Sequence, residues 1–500
     1  MKVAIRADAS AEIGSGHVMR CLCLAGALRA RGAEVLFVSH ALPPHLAQAV
    51  TAGHAIATFA LPSEPPSAAP QQPWPAAYQF KDAQASAHAV AGFAPDWIVA
   101  DHYGLDRTWE AVLRQPGRRI LAIDDLAREH DCDLLLDQAF HPEAHARYRD
   151  RVPAGTRLLV GPRFALLRPE FRQARAAVRA REGAVRRLLV FMGGMDAANT
   201  TGRVLEAISL MPDAELALDV VIGPTHPARG AIERFCGERP LATCHVQTSD
   251  MAALIAAADL AIGAGGGATW ERCCLGAPTL ALKLAANQQP LLEAAGRAAL
   301  VYVPDGGIPD AATLSVHLRA LMANGALRES MSDDGMALVD GLGAERVAAA
   351  VAGGQVQVRL AREEDCELLH RWRNAPAVRA VSRASAPITL GKHQQWFTSV
   401  LQSPDRALLV GEDPQGPVGV VRFDMQDERA EVSIYLAEPR MGQGLGSGLL
   451  AAAERWLVNA RPEVSALVAE TLAGNAASQR LFEDSGYSLD THRFSKRIRT

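Results

Sequence analysis

The sequence has no surplus of positive charge. Lys and Arg number 51 against 55 Asp and Glu, giving a formal net charge of −4 over 500 residues. That balance argues against nucleic acid as the main partner. It also lacks an apolar run of membrane length. The most apolar stretch, 251–268, is interrupted by Asp259 and four glycines, so no membrane span is expected. The eight cysteines (21, 23, 132, 236, 244, 273, 274 and 366) follow no pairing or metal-ligand spacing. Reduced thiols, a cytoplasmic setting and no metal site are therefore the expectation. The N-terminus enters a strand directly, so no secretory signal is expected. What remains is ordinary for a globular chain of two to four domains: 49% hydrophobic and 21% charged residues.

The first informative stretch is Ile13-Gly14-Ser15-Gly16-His17-Val18. A short apolar strand, Val3-Ala4-Ile5, precedes it, and the intervening loop opens on Asp8. Val18, Cys21, Leu22, Ala25 and Leu28 then recur at helical spacing. His17 is thus placed in the first turn of a helix, just past a strand's carboxyl end, where open α/β sheets bind ligands. Gly14 and Gly16 permit close backbone approach to a ligand. A helix N-terminus disfavours imidazolium, so His17 is read as a neutral base. An ordinary helix-start histidine above a tight turn fits the same signal. Further apolar runs end in Asp101-His102-Tyr103, Asp124-Asp125 and Asp137. Continuous runs of this kind suit parallel strands buried on both faces, and their ends converge on one crevice. Any single aspartate there also reads as a cap or turn residue.

A second α/β unit begins near Arg186. Its strand 187–192 leads into Gly193-Gly194-Met195-Asp196, and a later strand leads into Gly265-Gly266-Gly267 with Glu271 beyond. Successive N–H groups at such a turn favour an anion. Glu271 reads as an acceptor for ribose hydroxyls, and Asn287 and Gln288 as amides for a sugar, phosphate or base. The competing reading is a glycine-rich turn beside an exposed glutamate. The chain divides into lobes at 1–160 and 161–345, a Gly- and Ala-rich linker at 346–355, and a last domain at 356–500. That domain has alternating strand patterns and then Arg440-Met441-Gly442-Gln443-Gly444-Leu445-Gly446-Ser447 opening a helix, which reads as a pyrophosphate site.

Residues 356–500 resemble the GNAT acyltransferases, through that glycine turn and through Asn475, Ser478, Leu481-Phe482 and Gly486-Tyr487. The resemblance implies acetyl-CoA held by Gly442, Gln443, Gly444, Gly446 and Ser447, with Asn475 beside the pantetheine arm. Two positions depart from the family: Met441 replaces Arg or Gln, and Phe482 stands where many members carry a tyrosine general acid. Glu431, on the neighbouring strand, is the candidate base, and a solvated strand residue fits it equally.

The first 345 residues resemble the PseG-type UDP-sugar hydrolases of pseudaminic acid biosynthesis and, more distantly, GT-B glycosyltransferases of the MurG type. Asp8, Gly14, Gly16, His17, Arg20, Asp101, His102, Tyr103, Asp124-Asp125, Gly194, Asp196, Glu271, Asn287 and Gln288 carry the likeness. It implies His17, with Asp8, as catalytic groups for removing UDP from a 2,4-diacetamido-2,4,6-trideoxy hexose. Gly14, Gly16, Arg20, Asp101, His102, Tyr103, Gly194, Gly267, Glu271, Asn287 and Gln288 would bind the substrate. The segment Arg371-Trp372-Arg373-Asn374 with His393, Trp396 and Phe397 resembles the acetyltransferase PseH, which acts one step earlier on a UDP-4-amino sugar.

The expected architecture is therefore α/β: two Rossmann-like lobes in a GT-B arrangement followed by a C-terminal GNAT α+β domain. The expected partners are a UDP-linked amino sugar and acetyl-CoA, with association to other sugar-pathway enzymes and a role in flagellin glycosylation. Two rivals fit the same residues: a GT-B glycosyltransferase joined to an acetyltransferase, and a non-catalytic nucleotide-sugar binding module joined to one.

Overall fold

Seven parallel strands form the first sheet of the computed structural model: β1 (Lys2–Ala7), β2 (Glu34–Ser39), β3 (Ala55–Thr58), β4 (Trp97–Asp101), β5 (Arg119–Ile123), β6 (Leu134–Asp137) and β7 (Arg157–Val160). Their order is β3-β2-β1-β4-β5-β6-β7. The central strands are apolar through their middles and buried on both faces there. The two edge strands, β3 and β7, are short and less buried, and the sequence pattern did not mark them. The structure describes all residues except 11–12, 41, 62–71, 179–180, 195, 212–215, 353–355 and 490–500, and the side chains of Asn287 and Asp484. Met195, much of the Pro-rich stretch after Leu61 and the Gly353-Gly354 step thus lie outside the described residues.

The second sheet repeats the plan with β8 (Arg187–Phe191), β9 (Ala217–Ile222), β10 (Ala242–Val246), β11 (Leu260–Ala264) and β12 (Thr279–Leu282). Its order is β10-β9-β8-β11-β12, all parallel. Alternate residues feed two cores. Leu188, Val190, Val220 and Ile262 pack to one side, and Leu189, Val221, Ala261 and Trp270 to the other. In both sheets the strand order reverses beside the first strand, between β1 and β4 and between β8 and β11. Ligands of doubly wound sheets bind at such switch points.

Residues Met1–Val347 form one unit and Ala348–Thr500 a second. The helix Gly343–Val351 crosses that boundary. The stretch expected as a linker from 346 is thus helical through 351, because Val347, Ala348 and Val351 bury their side chains. The second unit has a five-stranded sheet, β13 (Gln357–Leu360), β14 (Arg406–Asp413), β15 (Gly416–Gln426), β16 (Arg429–Leu436) and β17 (Ala466–Ala469), in sequential order. Pairing is antiparallel except between β16 and β17. Alternation along β14 splits the core. Leu408 and Val410 meet Leu369, Phe397 and Val400 on one face. Leu409 meets Leu449, Leu450 and Leu457 of the helix Leu445–Ala460 on the other. No described helix is long and apolar enough to cross a membrane.

Candidate functional site

Gly14 turns the chain after β1 with φ +79°, and a Cβ there or at Gly16 would meet nothing within 4 Å. The helix Gly16–Ala30 follows at once, so His17 is its second residue. Register brings Ala7 of β1 opposite Asp101, the last residue of β4. The His17 Nδ1 accordingly lies 2.6 Å from Asp101 Oδ1. Arg20, one turn further, donates to both oxygens of the same carboxylate, Nε at 2.7 Å and Nη2 at 2.6 Å. The Cys21 thiol adds a contact at 3.3 Å. Burial would raise the Asp101 carboxyl, but the charges of Arg20 and His17 hold it well below the usual carboxylate range. An ionised carboxylate only accepts, so Nδ1 of His17 carries a proton, and in the neutral imidazole the lone pair is on Nε2. Tyr103 meets the imidazole edge-on, with centroids 4.7 Å apart. Its hydroxyl donates to Asp125 at 3.2 Å.

Asp8 was expected beside His17 as a second catalytic group. It is 1% exposed and sits in a buried ion cluster. Arg6 reaches Asp8 at 2.7 Å and Asp82 at 2.7 Å, and Ser39 Oγ and the His40 N–H donate to Asp8 Oδ1. Its contacts are with the lobe's interior and not with His17, so it reads as an anchor that ties β1, β2 and the helix Ala76–Val90 together. His102 also turns inward. Its Nδ1 accepts the Gly104 N–H at 2.8 Å, its ring packs on Trp74 at 4.4 Å, and burial pushes it down to about 3. It is neutral, with its Nε2 proton directed toward Asp8, 3.7 Å away. Asp124, another strand-end aspartate, is likewise internal, bound by Arg128 Nε at 2.7 Å and the Tyr148 hydroxyl at 3.2 Å.

In the second lobe, Asp196 accepts from the N–H groups of Thr200 and Thr201 at 2.8 and 2.7 Å. It thereby occupies the start of the helix Thr200–Ser209. Gly194 has open space at its Cβ position, and Gly223 is required to lack a side chain because its Cβ would strike the Gly194 carbonyl. At the second switch point Gly265 packs on Leu292, while Gly267 is open. Glu271 is half-buried there and burial raises its carboxyl. The Cys23 thiol, pushed up to about 12 by burial, feels the charges of Arg168, Glu271 and Glu170. The helix Gly16–Ala30 thus passes close to Glu271 of the second lobe. Gln288 caps the Leu284 N–H with its Oε1 at 2.9 Å, which leaves only its amide N–H₂ for a ligand. The side chain of Asn287 lies outside the described residues.

In the second unit, Gly442 and Gly444 adopt left-handed φ of 76° and 72°. Gly444 is the N-cap of the helix Leu445–Ala460 and has no side chain to bond it. The N–H groups of the turn are thus presented at a helix start. Gln443 donates back to the Pro439 carbonyl at 2.9 Å, and Ser447 Oγ to the Gly444 carbonyl at 3.4 Å. Strand β17 pairs with Arg429–Val432 only. Among the described residues the carboxyl half of β16, Ser433–Leu436, has no partner on that edge. Asn475 Oδ1 caps the helix Ala476–Asp484 at the Ser478 N–H, 3.1 Å. Its first role is therefore local.

Phe482 is buried and meets Tyr487 edge-on at 5.0 Å. The Tyr487 hydroxyl is held by Glu454 at 2.8 Å. Glu431 is exposed, with Arg383 3.9 Å away. Arg383, which also pairs with Glu470, carried no signal in the sequence because it lies in a loop. Ser433 and Tyr435 share the face of Glu431 by strand alternation, a signal that was legible.

The GNAT acetyltransferase domain family matches residues 355–488. The acetyltransferase YwnH of Bacillus subtilis is 33% identical over 139 residues, covering 26% of this chain and 83% of that protein. The chain belongs to the GNAT acetyltransferases through this domain.

A UDP-2,4-diacetamido-2,4,6-trideoxy-beta-L-altropyranose hydrolase of Campylobacter jejuni is 25% identical over 238 residues, covering 47% of this chain and 74% of that protein. The spore coat polysaccharide biosynthesis protein SpsG of Bacillus subtilis is 33% identical over 205 residues, 41% of this chain, and the match spans only 60% of SpsG. The MurG structure of Acinetobacter baumannii superimposes with a TM-score of 0.50 at 16% identity, covering 70% of this chain and 99% of that one. At that identity the likeness establishes the fold, two Rossmann-like lobes of GT-B type. A PseG-like module and the GNAT domain are thus fused in one chain. Among the described residues no group of three or more His, Cys, Asp or Glu side chains is placed to hold a metal ion.

Proposed function

We propose that the chain is a bifunctional enzyme of nucleotide-sugar metabolism. Its GT-B module hydrolyses a UDP-linked 2,4-diacetamido-2,4,6-trideoxy hexose to free sugar and UDP. Its GNAT domain acetylates the 4-amine of the UDP-4-amino-4,6-dideoxy precursor with acetyl-CoA. The observation that carries the first activity is the Asp101–His17 pair at 2.6 Å with Arg20 clamping the carboxylate. In this reading His17 Nε2 takes a proton from water as the water oxygen bonds to the anomeric carbon. The bond from that carbon to the diphosphate oxygen breaks, and UDP leaves with the electron pair. Asp101 stays ionised and stabilises the imidazolium that forms, as in other His–Asp pairs. The side chain of Glu271 and the amide N–H₂ of Gln288 hold the nucleotide from the second lobe, near Gly194 and Gly267.

In the GNAT domain, the turn from Gly442 to Ser447 holds the pyrophosphate of acetyl-CoA, with the pantetheine arm along the open edge of β16. The acceptor nitrogen attacks the thioester carbonyl, the carbon–sulfur bond breaks, and CoA leaves as thiolate. Glu431 takes the amine proton through water. Phe482 has no proton to give, so the thiolate is protonated by solvent or by another group. The setting is the cytoplasm and the pathway that of pseudaminic acid, a reading supported by the Campylobacter jejuni relative.

Incubating the full chain with the UDP-4-amino sugar, with and without acetyl-CoA, and following UDP and sugar by mass spectrometry tests both steps. UDP release that depends on prior acetylation is the expected result, and no release under either condition would sink the hydrolase. The likeness to SpsG and the GT-B fold favour a second reading, transfer of the sugar to an acceptor other than water. Free sugar formed without any acceptor separates the two.

A further inference from the structure

Arg272 is 2% exposed and lies directly behind the turn Gly265-Gly266-Gly267. Its Nη2 donates to the Ala264 carbonyl at 2.8 Å and contacts Thr269 Oγ1 at 3.2 Å. Its Nε is buried without a partner. No carboxylate of the described residues lies within ion-pair distance of it. Gly263 lacks a side chain in part because a Cβ there would sit 2.6 Å from the Arg272 guanidinium. Other buried arginines are compensated differently. Arg6 has Asp8 and Asp82, and Arg328 donates to three carbonyls, of Leu321, Met322 and Gly183. A buried cation without a direct ion-pair partner is costly, and burial lowers Arg272 to about 10 despite the nearby charge of Glu271, leaving it protonated at neutral pH. Its guanidinium field emerges through a turn that has no side chains to screen it.

We propose that Arg272 is a positioning residue whose charge, acting through the glycine turn, selects a dianionic diphosphate on the open side and stabilises it as it departs. The inference rests on the nucleotide-sugar reading. The chemistry recognised is a nucleoside diphosphate as against the bare nucleoside. Because Arg272 does not reach the ligand, its effect is electrostatic and separates from its hydrogen bond to Ala264. Gln at this position keeps an N–H₂ donor and loses the charge, and Lys keeps the charge.

The full chain, R272Q and R272K are each titrated with UDP and with uridine by calorimetry. R272Q is expected to lose about tenfold or more in UDP affinity, the worth of one charge-assisted interaction, with uridine affinity unchanged. R272K is expected to retain most of the UDP affinity. Wild-type UDP affinity in R272Q overturns the role of Arg272 while leaving the nucleotide reading intact. Parallel loss of UDP and uridine in R272Q, or loss of its native melting transition, assigns Arg272 to structure and also overturns it. A wild-type chain that binds neither ligand overturns the nucleotide reading, and this inference with it.

Discussion

Asp101 ends β4 and His17 lies in the first turn of the helix that follows β1, and their side chains meet at 2.6 Å because β1 and β4 pair in register at the switch point. The pair fixes one imidazole tautomer, and in the proposed hydrolysis Nε2 is the base. His17→Ala is expected to reduce UDP release by about 10³-fold, within the range for general-base removal, and to leave acetyl transfer unchanged. Asp101→Asn should reduce UDP release by about 10²-fold or more through loss of the tautomer. Single-turnover assays of UDP release, beside a thiol assay of acetyl transfer on the same protein, check both.

Asp8 separates an anchor from a catalyst. Removing one partner of a buried ion cluster costs about 3–5 kcal/mol. Asp8→Ala is therefore expected to lower the unfolding free energy of the first unit, read from a denaturant titration, by that much. Asp8→Asn, which keeps the shape, should lose less stability and retain kcat for UDP release. A folded Asp8→Asn protein with kcat reduced to the level of His17→Ala would return Asp8 to the reaction.

Stability of the first unit should fall at both ends of the pH range for different reasons. His102, buried and neutral, has a folded pKa near 3, below its unfolded value. The unfolded chain binds more protons below pH ~6.5, so the contribution of His102 is present above that pH and is lost as pH falls toward 3. His130 behaves oppositely. Burial opposes its charge, but the hydrogen bond to Glu110 and the nearby charge of Asp124 raise it to about 9. Its contribution is complete below pH ~6.5 and disappears as pH rises through 9. His130→Gln should flatten the alkaline limb of a melting-temperature profile and leave the acid limb in place.

Gly444 holds φ +72° at the start of the helix Leu445–Ala460. Gly444→Ala should cost about 1 kcal/mol from backbone strain alone. Gly444→Glu should in addition abolish acetyl-CoA binding, by bulk and by like charge against the pyrophosphate. Equilibrium dialysis with labelled acetyl-CoA reads this directly, and UDP release by the other unit serves as the control.

Glu431 is exposed and has Arg383 3.9 Å away. If it relays the amine proton, Glu431→Gln should lower kcat of acetyl transfer by about 10²-fold at neutral pH, with KM for acetyl-CoA unchanged. An unaltered kcat would leave deprotonation of the amine to solvent.

The sequence by itself determined the two α/β sheets, the GNAT domain and the two glycine turns that open helices. Continuous apolar runs, the step from period two to period 3.6, and glycine before a helix are local properties. The positions of His17, Glu271 and Gly444 follow from them. Tertiary structure decided which strand-end polar residues meet His17 and which face inward. Asp8, His102 and Asp124 stand at strand ends just as Asp101 does, and no local pattern distinguishes them. Strand order sets β4 beside β1, which gives Asp101 to His17, while Arg6 and Arg128 draw Asp8 and Asp124 into the interior. The same holds for Arg272, whose burial without a carboxylate arises only when the turn, β8 and the helix Ala268–Cys274 are packed together. The fate of a charged side chain depends on neighbours distant in sequence, because burying it uncompensated costs more than any local preference supplies.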